Sequence, residues 1–392
     1  MAEHDRTDLH VIGKPLPKID AAAKVTGQMV YADDVVLPRM AYAKLLRSPH
    51  PHARIRSIDI SRAAAAPGVL ATLVGSELPI PFGILPVSQD EHALAVDTVR
   101  FVGDPVAAVA AVDEEAAEAA LGLIAVDYEV LPALMTIEEA LARPDCRINE
   151  QGSHGNVHKE VSFDFGDVEA GFREADHVRE DTFFFQGSNH LAMEQHAAVA
   201  HQGPDGKLTL WSATQTPHYV HRALSKVLEM PPAHIRVIAC SNGGGFGGKT
   251  DPFSHEMVAA KLSMKTGRPV KITLTREEVF YTHRGRHPVK MWVKTGLKKD
   301  GSITAMHFRS ALDGGAYGSY GVASLYYTGA LQTVTYRIPR YKFEGVRVFT
   351  NKPPCGPKRG HGTPQPRFAL ESHIDRFCHD LRIDPAEWRL QN

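Results

Sequence analysis

Five glycines surround one aromatic residue in the segment Gly243-Gly244-Gly245-Phe246-Gly247-Gly248-Lys249-Thr250. With so little side chain to pack, the backbone is free to run close to another group, its N–H groups turned outward. Ahead of it, Ala233 to Ala239 (AHIRVIA) alternates in polarity and is rich in β-branched residues, which reads as a strand. Behind it, Ser254 to Lys265 (SHEMVAAKLSMK) carries apolar residues at helical spacing, with Asp251-Pro252 as helix-entry chemistry. A strand end, a glycine loop and a helix start in that order form an anion site, because unpaired amides and the helix dipole both favour negative charge.

Two anions compete for this loop. Gly243, Gly248, Lys249 and Thr250 satisfy the nucleoside-triphosphate pattern G-x-x-x-x-G-K-[ST]. The other candidate is a pterin-held metal centre approached by a glycine-phenylalanine-glycine backbone. A triphosphatase also needs an acid at the end of an apolar strand to hold magnesium. The strand Val270–Leu274 runs instead into Thr275-Arg276-Glu277, and Asp313 ends a strand of mixed polarity. A phosphate loop usually opens its domain, whereas several strands precede this one. Lys249 then reads as a surface or helix-start lysine.

Composition narrows the class. A chain of 392 residues has room for two or three domains, and 43% hydrophobic with 23% charged residues is ordinary for a globular protein. A net charge of −1 gives no reason to expect nucleic acid or an anionic membrane as partner. The polar N-terminus MAEHDRTDLH does not read as a secretory signal, and no apolar run is long enough to span a bilayer. Cys146, Cys240, Cys355 and Cys378 are widely spaced, so free thiols, a reducing cytoplasm and no iron–sulfur cluster on this chain are expected. The histidine pairs His50/His52, His218/His221 and His283/His287 lack a nearby carboxylate or cysteine in zinc spacing and read as structural.

Along the chain, residues 1–17 read as a polar arm and 18–132 as an α/β unit. Residues 133–157 read as a linker and 158–392 as a second domain. Three loops of the second domain carry polar tips. Thr214-Gln215 sits where a strand runs into a helix, fitting either an exposed amide donor or a capping pair. Gly314-Gly315-Ala316-Tyr317-Gly318-Ser319-Tyr320-Gly321 keeps only two phenols, as a plain turn or as the lining of an aromatic pocket. Asn351 to Gly362 (NKPPCGPKRGHG) fixes a non-repetitive path around Arg359, as a surface loop or a rigid cation mount.

Taken in order, these residues resemble the molybdopterin-binding large subunit of the xanthine dehydrogenase and aldehyde oxidase family. The likeness begins at Lys24-Val25-Thr26-Gly27 with Tyr31-Ala32-Asp33-Asp34, and Arg47 to Ile55 (RSPHPHARI) follows. Val102 to Ala107 and Val126 to Pro132 come next, then Thr214-Gln215, the glycine loop and Arg284-Gly285-Arg286-His287-Pro288. The two glycine-rich segments around Tyr317 and Arg359 complete it. The likeness displaces the triphosphatase reading. It implies an α+β chain, with a hammerhead-type α/β domain followed by the first molybdopterin-binding domain. Tyr317-containing GGAYGSYG, Cys355-Gly356 and Pro81 to Arg100 look most like the 4-hydroxybenzoyl-coenzyme A reductase branch.

The resemblance also implies roles. Gln215 would hydrogen-bond the ligand sphere of the metal; Gly244, Gly245, Phe246 and Gly247 would approach metal and pterin. Arg359 and Gly360 would lie beside the metal's ligands or the substrate, and Phe246, Tyr317, Tyr320 and His361 would line the substrate pocket. Gln215 and Arg359 are the expected catalytic residues, and no side chain is expected to ligate the metal directly. The implied cofactor is molybdenum on molybdopterin, in the cytosine dinucleotide form. A [2Fe–2S] chain, an FAD chain and a second molybdopterin-domain chain are the implied partners. The last would supply a glutamate base, unless the chain is a truncated or assembly form. Thr250 stands where purine-oxidising members carry a Glu, which points away from purines and towards a small aromatic or heteroaromatic substrate. The implied chemistry is reductive ring dehydroxylation, as in the reductase branch, or hydroxylation of an aldehyde or N-heterocycle by the same cofactor.

Overall fold

Strand Pro105–Ala111 (PVAAVAA) is buried at every position. A continuous run of small apolar residues suits a strand covered on both faces rather than one with a wet side. The computed structural model describes residues 9–282 and 284–392. His283 and the first half of the predicted polar arm lie outside the described residues.

That strand belongs to a seven-stranded sheet. Its order is Ile235–Ala239, Leu208–Ser212, Ala197–Gln202, Val270–Thr273, Ala41–Arg47, Pro105–Ala111, Val69–Val74. Three of these strands come from the N-terminal α/β segment and four from the later one. The seam is the parallel pair Ala41–Val270 and Tyr42–Lys271. Helix Ser254–Thr266 covers the sheet and is buried over most of its length, including Met257, Val258, Ala259, Ala260 and Leu262. Phe253 N–H donates to Glu256 Oε2 at 2.9 Å at its start, and Gly267 at φ 62° ends it. The glycine loop is thus strung between an edge strand and a helix locked into the core.

A second sheet has five strands in the order Val157–Phe165, Tyr341–Val348, Ile303–Asp313, Val289–Leu297, His177–Phe185. Helix Pro364–Leu381 packs on one face through Ala369, Leu370, Ile374 and Phe377. A small third sheet, Thr98–Val99, Ala53–Asp59, Ala125–Val130, completes the N-terminal segment.

The expected strands at 233–239 and 270–274 stand as Ile235–Ala239 and Val270–Thr273, and the expected helix at 254–265 as Ser254–Thr266. Among the strands that escape sequence reading, Ala53–Asp59 loses its alternation at a register shift beside Ser57, and Lys159 interrupts that of Val157–Phe165. Residues 133–157, expected as a linker, hold the helix Ile137–Ala142 and a small core of Leu134, Ile137, Ala140, Ile148, Val348 and Phe349. Asn156 replaces periodicity there. Its Nδ2 donates to the carbonyls of Ala140, Arg143 and Cys146, and its Oδ1 accepts from Ile148 N–H. All four cysteines are free. No helix among the described residues is long and apolar enough to cross a membrane.

Candidate molybdenum-cofactor site

The glycine loop closes around the carboxamide of Gln215. Gln215 Oε1 accepts from Gly247 N–H at 3.0 Å and Lys249 N–H at 3.3 Å, while Gln215 N–H donates to Lys249 O at 2.8 Å. The fit leaves no room for side chains. A Cβ on Gly245 would lie 2.4 Å from Gln215 Oε1, and one on Gly247 would lie 2.7 Å from Pro357 O. Gly244 and Gly247 also hold φ of 117° and 96°, and Phe246 sits at φ 51°. A bulky residue in the left-handed region is strained, and such strain gathers at functional sites. Phe246 is 43% exposed at the tip. The amide oxygen of Gln215 is held, and its Nε2 makes no hydrogen bond among the described residues. Gln215 therefore presents a fixed donor beside a bare backbone.

Lys249 is not the surface lysine expected. It is 2% exposed, and its Nζ lies 2.6 Å from Glu194 Oε2. The same carboxylate oxygen accepts from Gly243 N–H at 2.8 Å. One carboxylate thus ties the first and last turns of the loop together. A lysine committed this way cannot reach a bound phosphate, so the triphosphate pattern is met in letters and not in space. Glu194 carries no motif signal, which is why sequence reading passes over it.

The segment around Arg359 docks onto the same loop. Arg359 N–H donates to Phe246 O at 2.9 Å, and its guanidinium stands 5.5 Å over the Phe246 ring. Arg286 Nη2 donates to Arg359 O at 2.6 Å, and Gly356 N–H to Gly285 O at 3.0 Å. Arg286 N–H in turn donates to Ser188 O at 2.9 Å. Three backbones therefore run side by side, at Ser188, Gly285-Arg286 and Cys355 to Arg359. Arg347 anchors them from below. It is fully buried, and its Nη2 donates to Gly314 O, Tyr317 O and Cys355 O at 2.8, 3.2 and 3.2 Å. Its other N–H groups reach His287 Nε2 at 3.2 Å and His158 Nδ1 at 2.5 Å.

His361 and Tyr320 come together beside Arg359, with ring centroids 5.3 Å apart and Tyr327 5.7 Å from His361. Burial, with Arg286 and Arg347 nearby, pushes the His361 imidazole down to about 4, so it is neutral at pH 7. Its Nε2 is buried and has no hydrogen-bond partner among the described residues. Tyr317 departs from expectation. It is 2% exposed, its hydroxyl donates to Asp104 Oδ2 at 2.9 Å, and it packs edge-on to Phe101. A phenol taken up this way joins the two halves of the fold and is shielded from solvent. Tyr327, Arg286 and Arg347 were given no role by sequence reading, since an arginine in a strand or a tyrosine in a helix carries no pattern of its own.

The electrostatics favour an anion. Arg286, Arg347, Lys358 and Arg359 form no ion pair among the described residues. The adjacent acids are already taken: Glu194 by Lys249, and Asp251 by Arg284 and the Ser319 hydroxyl. A flat anionic pterin dithiolene fits these features, since it needs close backbone approach, fixed donors and no opposing carboxylate. Gln215, Gly245, Gly247 and Arg359 are the residues that would hold it. A cavity of about 600 Å³ lies elsewhere, over the open face of the five-stranded sheet near Trp292 and Val346. Its cations are paired, Lys290 with Glu138 and Arg309 with Glu344, unlike those at the loops. The described residues hold no cluster of three or more His, Cys, Asp or Glu placed to bind a metal. His52 Nδ1 donates to Pro132 O and His221 Nε2 to Pro232 O, so both serve structure.

A mixed sheet-and-helix fold with this glycine cradle defines a molybdopterin-binding chain of the molybdenum hydroxylase class. The chain belongs to the aldehyde oxidase and xanthine dehydrogenase family. Residues 26–132 match its a/b hammerhead domain, and residues 149–392 match the molybdopterin cofactor-binding domain. It is 40% identical to a probable xanthine dehydrogenase subunit of Bacillus subtilis, over 97% of this chain and 51% of that protein. It is 37% identical to the nicotinate dehydrogenase large molybdopterin subunit of Eubacterium barkeri, over 98% of this chain and 90% of that protein. The aldehyde oxidoreductase of Desulfovibrio gigas superposes with a TM-score of 0.91 at 30% identity, over 96% of this chain and 43% of that one. The chain spans about half the length of most of these relatives and nearly all of the nicotinate dehydrogenase subunit.

Proposed function

We propose that this chain forms one half of a molybdenum hydroxylase active site that acts on a small aromatic or heteroaromatic molecule. The observation that carries the reading is the Gln215 carboxamide, held by Gly247 and Lys249 so that its Nε2 is free beside Gly245 and Gly247. When bound, the molybdenum cofactor supplies two-electron redox chemistry that no side chain here can perform. Gln215 Nε2 would donate towards the ligands of the metal, and the loop backbone at Gly245 and Phe246, whose N–H groups make no hydrogen bond among the described residues, would face the pterin. Phe246 forms a wall, and Tyr320 with His361 lines the opposite side. Arg359, steadied by Arg286 through its carbonyl and by Phe246 through its N–H, places a guanidinium where negative charge develops. Thr250 leaves this pocket without the carboxylate that would grip a purine.

The remaining parts belong to the same proposal. The cofactor is the cytosine dinucleotide form, a second molybdopterin-domain chain supplies the base, and iron–sulfur and FAD chains carry electrons away. The separate large subunit of the Eubacterium barkeri nicotinate dehydrogenase, similar over nearly its whole length, supports a split arrangement. Hydroxylation is favoured over reductive dehydroxylation, because the burial of Tyr317 removes an aromatic contact on which the reductase likeness leaned. The test is metal analysis of the complex purified after co-expression with neighbouring genes. About one molybdenum per chain, with cytidine monophosphate released on hydrolysis, is expected; a complex without molybdenum overturns the reading.

A further inference from the structure

Two carboxylates share one edge of the buried Arg284 guanidinium. Nη2 pairs with Glu91 Oε2, and Nε lies 3.4 Å from Asp251 Oδ2. That edge ordinarily takes both oxygens of a single carboxylate. Here it takes one oxygen from each of two, and Glu91 and Asp251 are themselves buried. Two buried acids on one guanidinium edge do not both ionise, so one proton stays with the pair. The other cations around them are occupied. Arg47 pairs with Glu278 at 2.8 Å, Arg100 donates to Ile148 O, and Arg347 donates to three carbonyls. Asp90 and Asp104 add negative charge, while His255, held by burial at about 3, and the Tyr317 phenol are neutral. Burial first, with Asp104, Asp90 and Asp251 beside it and against the pull of Arg284, pushes the Glu91 carboxyl up to about 8.

The pair reaches the loop that carries Tyr320. Glu91 ends a segment that grips this loop from the N-terminal side. Ser88 Oγ donates to Ser319 O at 2.6 Å, and Gly318 N–H donates to Asp90 Oδ2 at 2.8 Å. A Cβ on Gly318 would lie 2.4 Å from Ser88 Cβ, so the two segments touch closely. Ser319 Oγ donates to Asp251, which directly follows Thr250 at the end of the glycine loop. Ser319 holds φ of 51°, a strained conformation for a residue with a side chain, and it persists through these partners. We propose that the proton held by Glu91 and Asp251 on Arg284 is a latch, which keeps the segment Ser88–Glu91 clasped to Gly318–Tyr320 and on leaving frees that turn. The latch consists of this chain's own residues; only its effect on a substrate, through Tyr320 and His361, rests on the molybdenum hydroxylase reading. Once both acids are charged they repel across a single guanidinium edge. The folded value of Glu91 lies above the usual 4.5, so the folded chain keeps a proton that the unfolded chain has lost. Stability tied to this group is present below pH 4.5 and is lost as pH rises towards 8.

Hydrogen exchange of the full chain, followed by mass spectrometry and corrected for the intrinsic pH dependence of amide exchange, reads the latch. Between pH 7 and 9 the peptide spanning 314–322 is expected to exchange roughly tenfold faster, as one pH unit past loss of the proton provides. Helix Ser254–Thr266 keeps its protection over the same range. Glu91→Gln places a neutral partner on Arg284 at every pH and is expected to abolish the rise. Asp251→Asn removes the other acid and is expected to do the same, which covers the case in which the first variant does not fold. Glu91→Asp keeps two acids and keeps the rise. A parent chain with no rise overturns the proposal, and so does a rise of equal size in Glu91→Gln and Asp251→Asn. Faster exchange of this peptide at every pH in both variants would make the cluster a structural ion pair only, which also overturns it. The readout needs no bound metal, so a complex without molybdenum overturns the functional reading and leaves the latch standing.

Discussion

Glu194 Oε2 lies 2.6 Å from Lys249 Nζ and 2.8 Å from Gly243 N–H, so a single carboxylate oxygen clasps both ends of the glycine loop. The pair is almost wholly shielded from water, with side-chain exposures of 1% for the lysine and 11% for the glutamate. Removing one member of a buried pair costs more than the pair contributes, because the survivor keeps its charge without a partner. Lys249→Met is therefore expected to lower unfolding stability by about 3 kcal/mol. Glu194→Gln added to it should recover part of that loss. Urea denaturation of the chain measures both, and nucleotide binding by the parent at millimolar ATP would revive the triphosphatase reading.

Gly245 has no space for a methyl group. The Cβ of Gly245→Ala would press on the Gln215 carboxamide at 2.4 Å, against a group held in place by two loop amides. The variant is expected to fold and to lose most of its molybdenum. Far-UV circular dichroism and metal analysis on the same preparation check this. Full retention of metal would remove Gly245 from the cradle.

Arg359 is exposed, and its side chain supports no other element of the fold. Arg359→Ala is expected to leave the melting temperature within a few degrees and to reduce turnover roughly a hundredfold, in line with loss of one preorganised charge donor. Steady-state kinetics with the complex decide it, and retained turnover excludes the residue.

Tyr317→Phe tests the correction made by the structure. The change strands Asp104 Oδ2 without the phenol, although Arg100 N–H still donates to it at 2.9 Å. The expected cost is about 1–2 kcal/mol in stability. Little change in KM should accompany it. A large rise in KM with unchanged stability would return Tyr317 to the substrate pocket.

His361 makes stability depend on pH. Its folded value of about 4 lies below the usual 6.5, so the folded chain holds the ring neutral while the unfolded chain protonates it. The folded state thus binds fewer protons between these values, and the stability tied to this group is present above pH 6.5 and lost as pH falls towards 4. His361→Phe is expected to flatten the acid limb of the melting-temperature profile between pH 6.5 and 4, by at most about 3 kcal/mol. An acid limb identical to that of the parent would show that His361 is not neutral in the fold.

The sequence by itself determined the alternating strands, the helix after the glycine loop and the loop's need for backbone approach, because these depend on local periodicity and on absent side chains. It also singled out Gln215 and Arg359, each beside a turn signal, and the structure brings both against the glycine loop. Only the tertiary structure decided what meets at the loop. Glu194 lies 55 positions from Lys249, and Tyr317 meets Asp104 across 213 positions. No local pattern encodes such pairings. The seven-stranded sheet likewise joins strands from both segments, and that seam appears once Ala41 pairs with Val270. Charge needed the fold as well. Lysines and arginines read alike along a chain, and burial with the placing of the acids separates Lys249, which is paired with Glu194, from Lys358 and Arg359, which form no ion pair among the described residues.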